Sequence, residues 1–323
     1  MTDGDWLELS VVDIREETAA IRALWLARPD GELLPGWDAG AHIKIRLPHG
    51  DDRQYSLINA SPAGEQTTSP ASYMLGVQRE EQTRGGSLYI HSLQIGDIVH
   101  ASEPVNQFSV KPGRGPVTLC AGGIGITPIL SMASALLAEG RQPRLVYAGR
   151  SRNHLAFLHE VESLGLANLQ VHCDDTDKIL DLRGLMSSLK DDEDLYLCGP
   201  TTMISAVVEF ASTLGWSKDR LKFESFNSVS PLEGDCEFEV FLKNSDKRFV
   251  IPQDKTILDV LLEAGEDPLH DCKRGDCSLC QVGVIEGVPD HRDNVLSAAD
   301  RADGKVMHIC VSRSKTPLLV LDL

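Results

Sequence analysis

Between Trp6 and Lys111 the apolar residues recur in short runs, IRALWLARPDG, AHIKIRLPHG, RQYSLINA, SYMLGVQRE and GDIVHAS, each cut off by Gly, Pro or Asp. Strand-sized segments punctuated in this way predict an antiparallel barrel or sandwich. From Pro116 the rhythm changes. VTLC is followed by GGIGITP and an apolar helix around Ile129 to Leu137, and RLVYAGR by a helix over HLAFLHEVESLG. LQVHCDD then precedes LRGLMSSL, and DLYLCGP precedes MISAVVEFASTLG. Alternating strands and helices predict a parallel sheet with helices on both faces, whose ligands sit at the carboxyl ends of the strands. The pattern changes again after NSVSPLEGD. Alternating Phe238, Val240 and Leu242, a turn at Asn244 to Asp246, and Phe249 with Ile251 predict a hairpin. TILDVLLEAG follows as a helix with Ile257, Leu258, Leu261 and Leu262 on one face and Gly265 as its stop.

These shifts divide the 323 residues into a β-rich domain over 1–112, an α/β domain over 113–226, a linker over 227–236 and a last domain over 237–323. The chain is too long for one ordinary core and contains no internal repeat. Its first residues, MTDGDWLELS, have neither a basic nor an apolar stretch of the kind that directs secretion, and no apolar run is long enough to span a bilayer. A cytoplasmic protein is expected, with its thiols reduced. The formal charge of −17 argues against binding nucleic acid or anionic membranes, which select clustered Lys and Arg.

Chemistry concentrates first in CKRGDCSLC. Cys272, Cys277 and Cys280, with Cys310 thirty residues on, have the spacing of a plant-type 2Fe-2S site. The competing reading is structural zinc, which usually draws on two close Cys-x-x-Cys pairs, whereas here one pair is opened to four intervening residues. Gly275 and Ser278 keep the loop slim where amides can face cluster sulfurs. In the α/β domain, Gly122, Gly123 and Gly125 lie between strand and helix, with Thr127 as the expected N-cap and Pro128 as the first helical residue. Such a turn lets a helix N-terminus approach a pyrophosphate. Cys198, Gly199 and Pro200 form a second small-residue turn on the same sheet edge. Arg53 to Leu57 (RQYSL) and Arg84 to Ser87 (RGGS) mark the first domain. Cys120, Cys173 and Cys236 are read as structural or incidental, and Arg150 and Arg152 as solvated or as acceptors of a ribose 2′-phosphate.

Arg-x-Tyr-Ser, then Gly-Gly-x-Gly-x-Thr-Pro, then Cys-Gly-Pro, in that order, resembles the ferredoxin-NADP reductase superfamily. With the ferredoxin-like segment behind, and with FESF, GVPDHRD and LVLDL, the whole chain resembles the phthalate dioxygenase reductase and vanillate demethylase reductase family. The resemblance implies an FMN-binding β-barrel, a nicotinamide-dinucleotide domain and a C-terminal β-grasp ferredoxin. It also implies electron transfer from NADH, rather than NADPH, to the terminal component of a Rieske oxygenase. By matching motif, Arg53, Tyr55, Ser56 and Leu57 contact flavin, with Ser56 near N5. Arg84, Gly86 and Ser87 hold the FMN phosphate. Gly122, Gly123, Gly125 and Thr127 face the NADH pyrophosphate. Cys198, Gly199 and Pro200 lie near the nicotinamide, and Phe226 covers the open flavin face. Cys272, Cys277, Cys280 and Cys310 bind the cluster. Ser278 and Leu279 depart from the Gly and Thr or Ser common in ferredoxins, which implies altered cluster stability or potential. A monomer suffices, because one chain carries the whole electron path. The rival readings are a diaphorase that serves a separate ferredoxin or small oxidant, and a non-catalytic redox sensor.

Overall fold

The computed structural model describes residues 6–60, 69–80, 85–113, 115–217, 219–226, 234–270, 273–275, 278–293 and 295–323. Two compact units result, Met1–Glu224 and Ser225–Leu323. Their elements follow from where the apolar residues fall.

In β1 (Leu7–Glu16), Leu9 and Val11 are buried and Glu8 is exposed, the period-two alternation of a strand with one wet face. It pairs antiparallel with β2 (Ile21–Ala27), which pairs with β5 (Tyr73–Gln78). On its other side lie β6 (Ile98–Ala101), β3 (Ala41–Arg46) and β4 (Asp52–Ser56), giving the order β4-β3-β6-β1-β2-β5, with β7 (Val105–Asn106) beside β3. A bridge between Leu57 and Leu75 joins the two ends of this path, so the sheet closes into the expected barrel. The core is Leu9, Leu24, Leu26, Ile43, Ile45 and Leu75, with Ile90 contributed by the short α1 (Gly86–Ser92).

The parallel sheet comprises β8 (Val117–Gly122), β9 (Arg144–Gly149), β10 (Asn168–Cys173), β11 (Asp194–Cys198) and β12 (Leu221–Glu224), in the order β10-β9-β8-β11-β12. Every residue of β8 is buried, as a central parallel strand requires. The chain order reverses beside β8, which puts a crevice at its carboxyl end. The helices are α2 (Ile126–Ala138), α3 (Leu158–Ser163), α4 (Leu182–Ser187) and α5 (Thr201–Thr213).

HLAFLHEVESLG is therefore not one helix. Phe157 has a left-handed backbone at φ 56°, and only Leu158–Ser163 is α-helical. The cause is tertiary. The Phe157 amide donates to Glu17 Oε2 at 3.0 Å, its ring packs where a Cβ on Gly76 would lie, and these contacts outweigh the local helical preference.

In the second unit, β13 (Phe238–Leu242) and β14 (Lys247–Ile251) form the expected hairpin, and α6 (Ile257–Glu263) starts at a capping box between Thr256 and Asp259. Next come β15 (Gln281–Glu286), β16 (Pro289–Asp290), α7 (Ala298–Asp303), β17 (Val306–His308), β18 (Arg313–Ser314) and β19 (Leu318–Asp322). The sheet order β14-β13-β19-β15-β17, with β19 parallel to β13 and α6 packed against the same core, is a β-grasp.

Candidate functional site

Three clusters of predicted residues emerge. In the barrel, β4 carries Arg53, Tyr55 and Ser56 alongside the start of α1. A Cβ on Gly86 would stand 2.7 Å from Arg53 Cγ and 3.2 Å from the Tyr55 hydroxyl, so a glycine is what lets the two motifs meet. Gly85 precedes it at φ 92°, and Ser87 Oγ accepts from the Glu80 amide at 3.2 Å. Burial is the main cause that raises the Tyr55 hydroxyl's pKa well above its ordinary value, with Arg53 opposing and Glu80 adding to the shift. Tyr55 therefore stays a neutral, largely apolar surface. Ser56 Oγ is buried with no hydrogen-bond partner among the described residues. A buried hydroxyl left unsatisfied is costly, and an acceptor or donor on a bound flavin ring would remove the cost. A flavin thus fits this cradle. Leu57 is fully buried, and Arg84 lies outside the described residues.

At the carboxyl end of the parallel sheet, β8 and β11 are neighbours with Ala121 opposite Cys198. This register brings the two glycine turns together. A Cβ on Gly125 would lie 2.2 Å from the Cys198 carbonyl oxygen, and one on Gly122 would lie 2.7 Å from Pro200 Cδ. Gly199 packs on Gly122 in return, while Gly123, at φ 54°, has open space where a Cβ would point. Thr127 is not the N-cap. A 3₁₀ turn over Gly123–Gly125 runs straight into α2, helical geometry starts at Ile126, and Thr127 Oγ1 donates back to the Ile124 carbonyl at 3.1 Å. The Cys198 side chain is fully buried. The crevice fits a dinucleotide at Gly123, where no protein atom stands over the turn that leads into α2.

Arg152 pairs with Glu162 at 2.5 Å, and the Asp175 amide donates to the Arg150 carbonyl. Acidic Asp174 and Asp175 thus stand beside the end of β9. Cys120 is buried in the core, where desolvation pushes its thiol up to about 12, in keeping with a structural role.

The third cluster lies in the second unit. Cys280 leads into β15 and Cys310 follows β17, and the pairing of Gln281 with His308 draws these distant positions together. The Ile309 amide donates to the Cys280 carbonyl at 3.3 Å, and both cysteines are 3% exposed. Cys272 and Cys277 lie outside the described residues. Among the described residues of this loop Lys273, Gly275 and Ser278 have positive φ, 51°, 79° and 61°. Gly275 is pressed on Asp293, with a Cβ there only 3.0 Å from Asp293 Cα. That aspartate is pinned by the amides of Val295 and Leu296 and by Arg301. Two buried thiols brought together by the pairing of β15 with β17 fit two of the thiolate ligands of an iron-sulfur cluster.

Ser278 occupies the left-handed region at a cost of about 1 kcal/mol that glycine would avoid. Ser278→Gly is accordingly expected to raise the temperature at which the cluster's visible absorbance bleaches. A lowered bleaching temperature would show that the Ser278 hydroxyl contributes more than the strain costs.

Three residues that join the nucleotide turn to the barrel escaped the sequence reading. Ser131 on α2 is 1% exposed, donates to the Leu57 carbonyl at 2.8 Å and accepts from the Asn59 amide at 2.9 Å. Gly76 on β5 has Phe157 Cε2 at 2.7 Å and Thr127 Cγ2 at 2.9 Å from its missing Cβ. Glu17 holds the Phe157 amide. An isolated glycine within the strand run SYMLGVQRE was a readable sign of close approach. A serine inside an apolar helix carried no such sign.

Comparison with known proteins gives matches at every level. Residues 240–315 match the 2Fe-2S iron-sulfur cluster binding domain, and residues 119–209 match the oxidoreductase NAD-binding domain. The chain is 36% identical to tetrachlorobenzoquinone reductase of Sphingobium chlorophenolicum, over 98% of each chain. It is 35% identical to vanillate O-demethylase oxidoreductase of Pseudomonas sp. (strain HR199 / DSM 7063), over 98% of this chain and all of that one. Among solved structures, phthalate dioxygenase reductase, described as a modular structure for electron transfer from pyridine nucleotides to [2Fe-2S], superposes with a TM-score of 0.78 at 34% identity, covering 98% of both chains.

Proposed function

The chain belongs to the phthalate dioxygenase reductase family of flavin iron-sulfur oxidoreductases, and from that premise we propose that it is the reductase component of a two-component oxygenase or demethylase system. NADH supplies the electrons, FMN and a 2Fe-2S cluster carry them, and an oxygenase component receives them. When bound, the flavin accepts a two-electron hydride and the cluster passes single electrons onward.

The residues divide the work. Arg53, Tyr55, Ser56 and Leu57 hold the flavin ring, Tyr55 as a neutral surface and Ser56 with its unsatisfied hydroxyl. Arg84, Gly86 and Ser87 receive the FMN phosphate. Gly122, Gly123, Gly125 and Thr127 accept the pyrophosphate, and the turn Cys198, Gly199 and Pro200 borders the nicotinamide. Phe226 is assigned to the open flavin face by resemblance alone. Cys272, Cys277, Cys280 and Cys310 ligate the cluster. Domains over 1–112, 113–226 and 237–323, with a linker over 227–236, carry the three sites, and one chain supports a monomer. NADH is preferred over NADPH, because Arg152 is engaged by Glu162 and Asp174 and Asp175 disfavour a 2′-phosphate near β9. No helix among the described residues is long and apolar enough to cross a membrane. The thiol chemistry suits a reducing cytoplasm.

The observation that carries this reading is the orphaned Ser56 hydroxyl on the strand whose Arg53 and Tyr55 meet Gly86, in a chain whose two glycine turns also meet at the end of the parallel sheet. Anaerobic NADH titration of the purified protein tests it. Flavin bands and broad iron-sulfur absorption should both bleach, and heating should release FMN. A colourless, zinc-loaded protein would overturn the cluster, and a coloured protein that passes electrons only to small oxidants would favour the diaphorase reading.

A further inference from the structure

The nucleotide domain touches the barrel at a place defined to atomic detail. Thr127 and Ser131 are one turn apart on α2 and therefore share a face. That face lies on the barrel. The Thr127 methyl fills the notch at Gly76, and Ser131 is hydrogen-bonded to the Leu57 carbonyl and the Asn59 amide, at 2.8 and 2.9 Å. Both contacts converge on one spot, because Leu57 bridges to Leu75, the neighbour of Gly76. Leu57 directly follows Ser56, and Thr127 lies in the first turn of α2, two residues past the glycine turn. The Phe157 ring shares the Gly76 notch, and its amide is held by Glu17. α2 also rests on the barrel through Met132, whose Cε lies 3.1 Å from a Cβ position on Gly40.

We propose that Ser131 is a positioning residue for hydride transfer: together with the notch at Gly76 it sets the register of the nucleotide-binding turn against the flavin strand while touching neither cofactor. The inference rests on the assignment of the flavin and nucleotide sites given above. When bound, the flavin would take at N5 the hydride, one proton with two electrons, that NADH would give up from C4 to become NAD⁺. The rate of that transfer depends steeply on the separation of those atoms. Ser131 fixes that separation from outside the site. Nothing in the contact needs to change during turnover, so the hydroxyl acts by holding one geometry.

The test uses the full-length protein with its cofactors, as Ser131→Ala, Gly76→Ala and the double variant. Removing one buried oxygen from Ser131 leaves the barrel and sheet cores intact, so this variant carries the test if Gly76→Ala fails to fold. For Ser131→Ala the expected result is an unchanged FMN-to-protein ratio and unchanged half-saturation by NADH. The limiting rate of flavin reduction in anaerobic stopped flow should fall about ten- to a hundredfold. The long-wavelength absorbance that appears on binding a tetrahydro analogue of NADH, which gives no hydride, should weaken in parallel. The double variant should lose less than the product of the single losses, since both residues act on one contact. A limiting rate equal to wild type, or a loss accounted for by missing FMN, would overturn the inference. A wild-type protein whose flavin NADH does not reduce would sink the site assignment itself.

Discussion

Cys310→Ser is expected to yield a protein that NADH still reduces at its flavin but that delivers nothing to the oxygenase. Cys310 is buried at 3% exposure in the same core as Cys280, Met307 and Ile309, and follows a strand whose pairing with β15 fixes its distance from Cys280. A serine hydroxyl there would have to be ionised to replace the thiolate. One iron would lose its soft ligand, and binding energy that doubles as folding energy would be lost with it. The damage stays local, because residues 1–224 have cores of their own. Iron and sulfide content should drop, oxygenase turnover should fall to the level without reductase, and dye reduction by NADH should persist. Oxygenase turnover that survived loss of the cluster would break the electron path drawn here.

The kinds of sheet were legible in the sequence, since period-two runs predict antiparallel strands and strand-helix alternation predicts a parallel sheet. The cysteine spacing is a local signal of another kind, because a cluster constrains its ligands locally, and Cys310, the proposed fourth ligand, lies just past the short strand β17. Legibility failed where contacts between elements overrode local preference. Phe157 sits in a run that alternates like a helix, yet Glu17 and Gly76, 140 and 81 positions away in sequence, hold it left-handed. Thr127 had the chemistry of an N-cap, but the 3₁₀ turn before it had already started the helix. Ser131 gave no local sign because two of its hydrogen bonds reach Leu57 and Asn59, more than seventy residues earlier.

Gly125→Ala is expected to have the second large effect, and it isolates the nucleotide crevice. A methyl at Gly125 would overlap the Cys198 carbonyl oxygen at 2.2 Å, its carbon at 2.4 Å and the Gly199 amide at 2.8 Å. The obstacle is backbone, so no rotamer relieves it. Nor can the strand yield, since Cys198 is paired with both Ala121 and Glu224 at the centre of the sheet. The turn over Gly123–Gly125 must move instead, carrying the start of α2 with it. Overpacking of this kind costs about 1–3 kcal/mol in stability. The larger consequence is functional, because a displacement near 1 Å at a reacting centre lowers the rate by roughly a hundredfold. Flavin content and reduction by dithionite should be unchanged, while catalytic efficiency with NADH collapses. Gly123→Ala is the control. Its Cβ meets no protein atom within 4 Å, so within the fold only the strain of φ 54° opposes it, about 1 kcal/mol, and its folding stability should remain above that of Gly125→Ala. Equal losses in the two variants would mean that left-handed freedom, and not the contact with Cys198 and Gly199, is what the turn requires. Wild-type efficiency in Gly125→Ala would remove the crevice from the nucleotide path altogether.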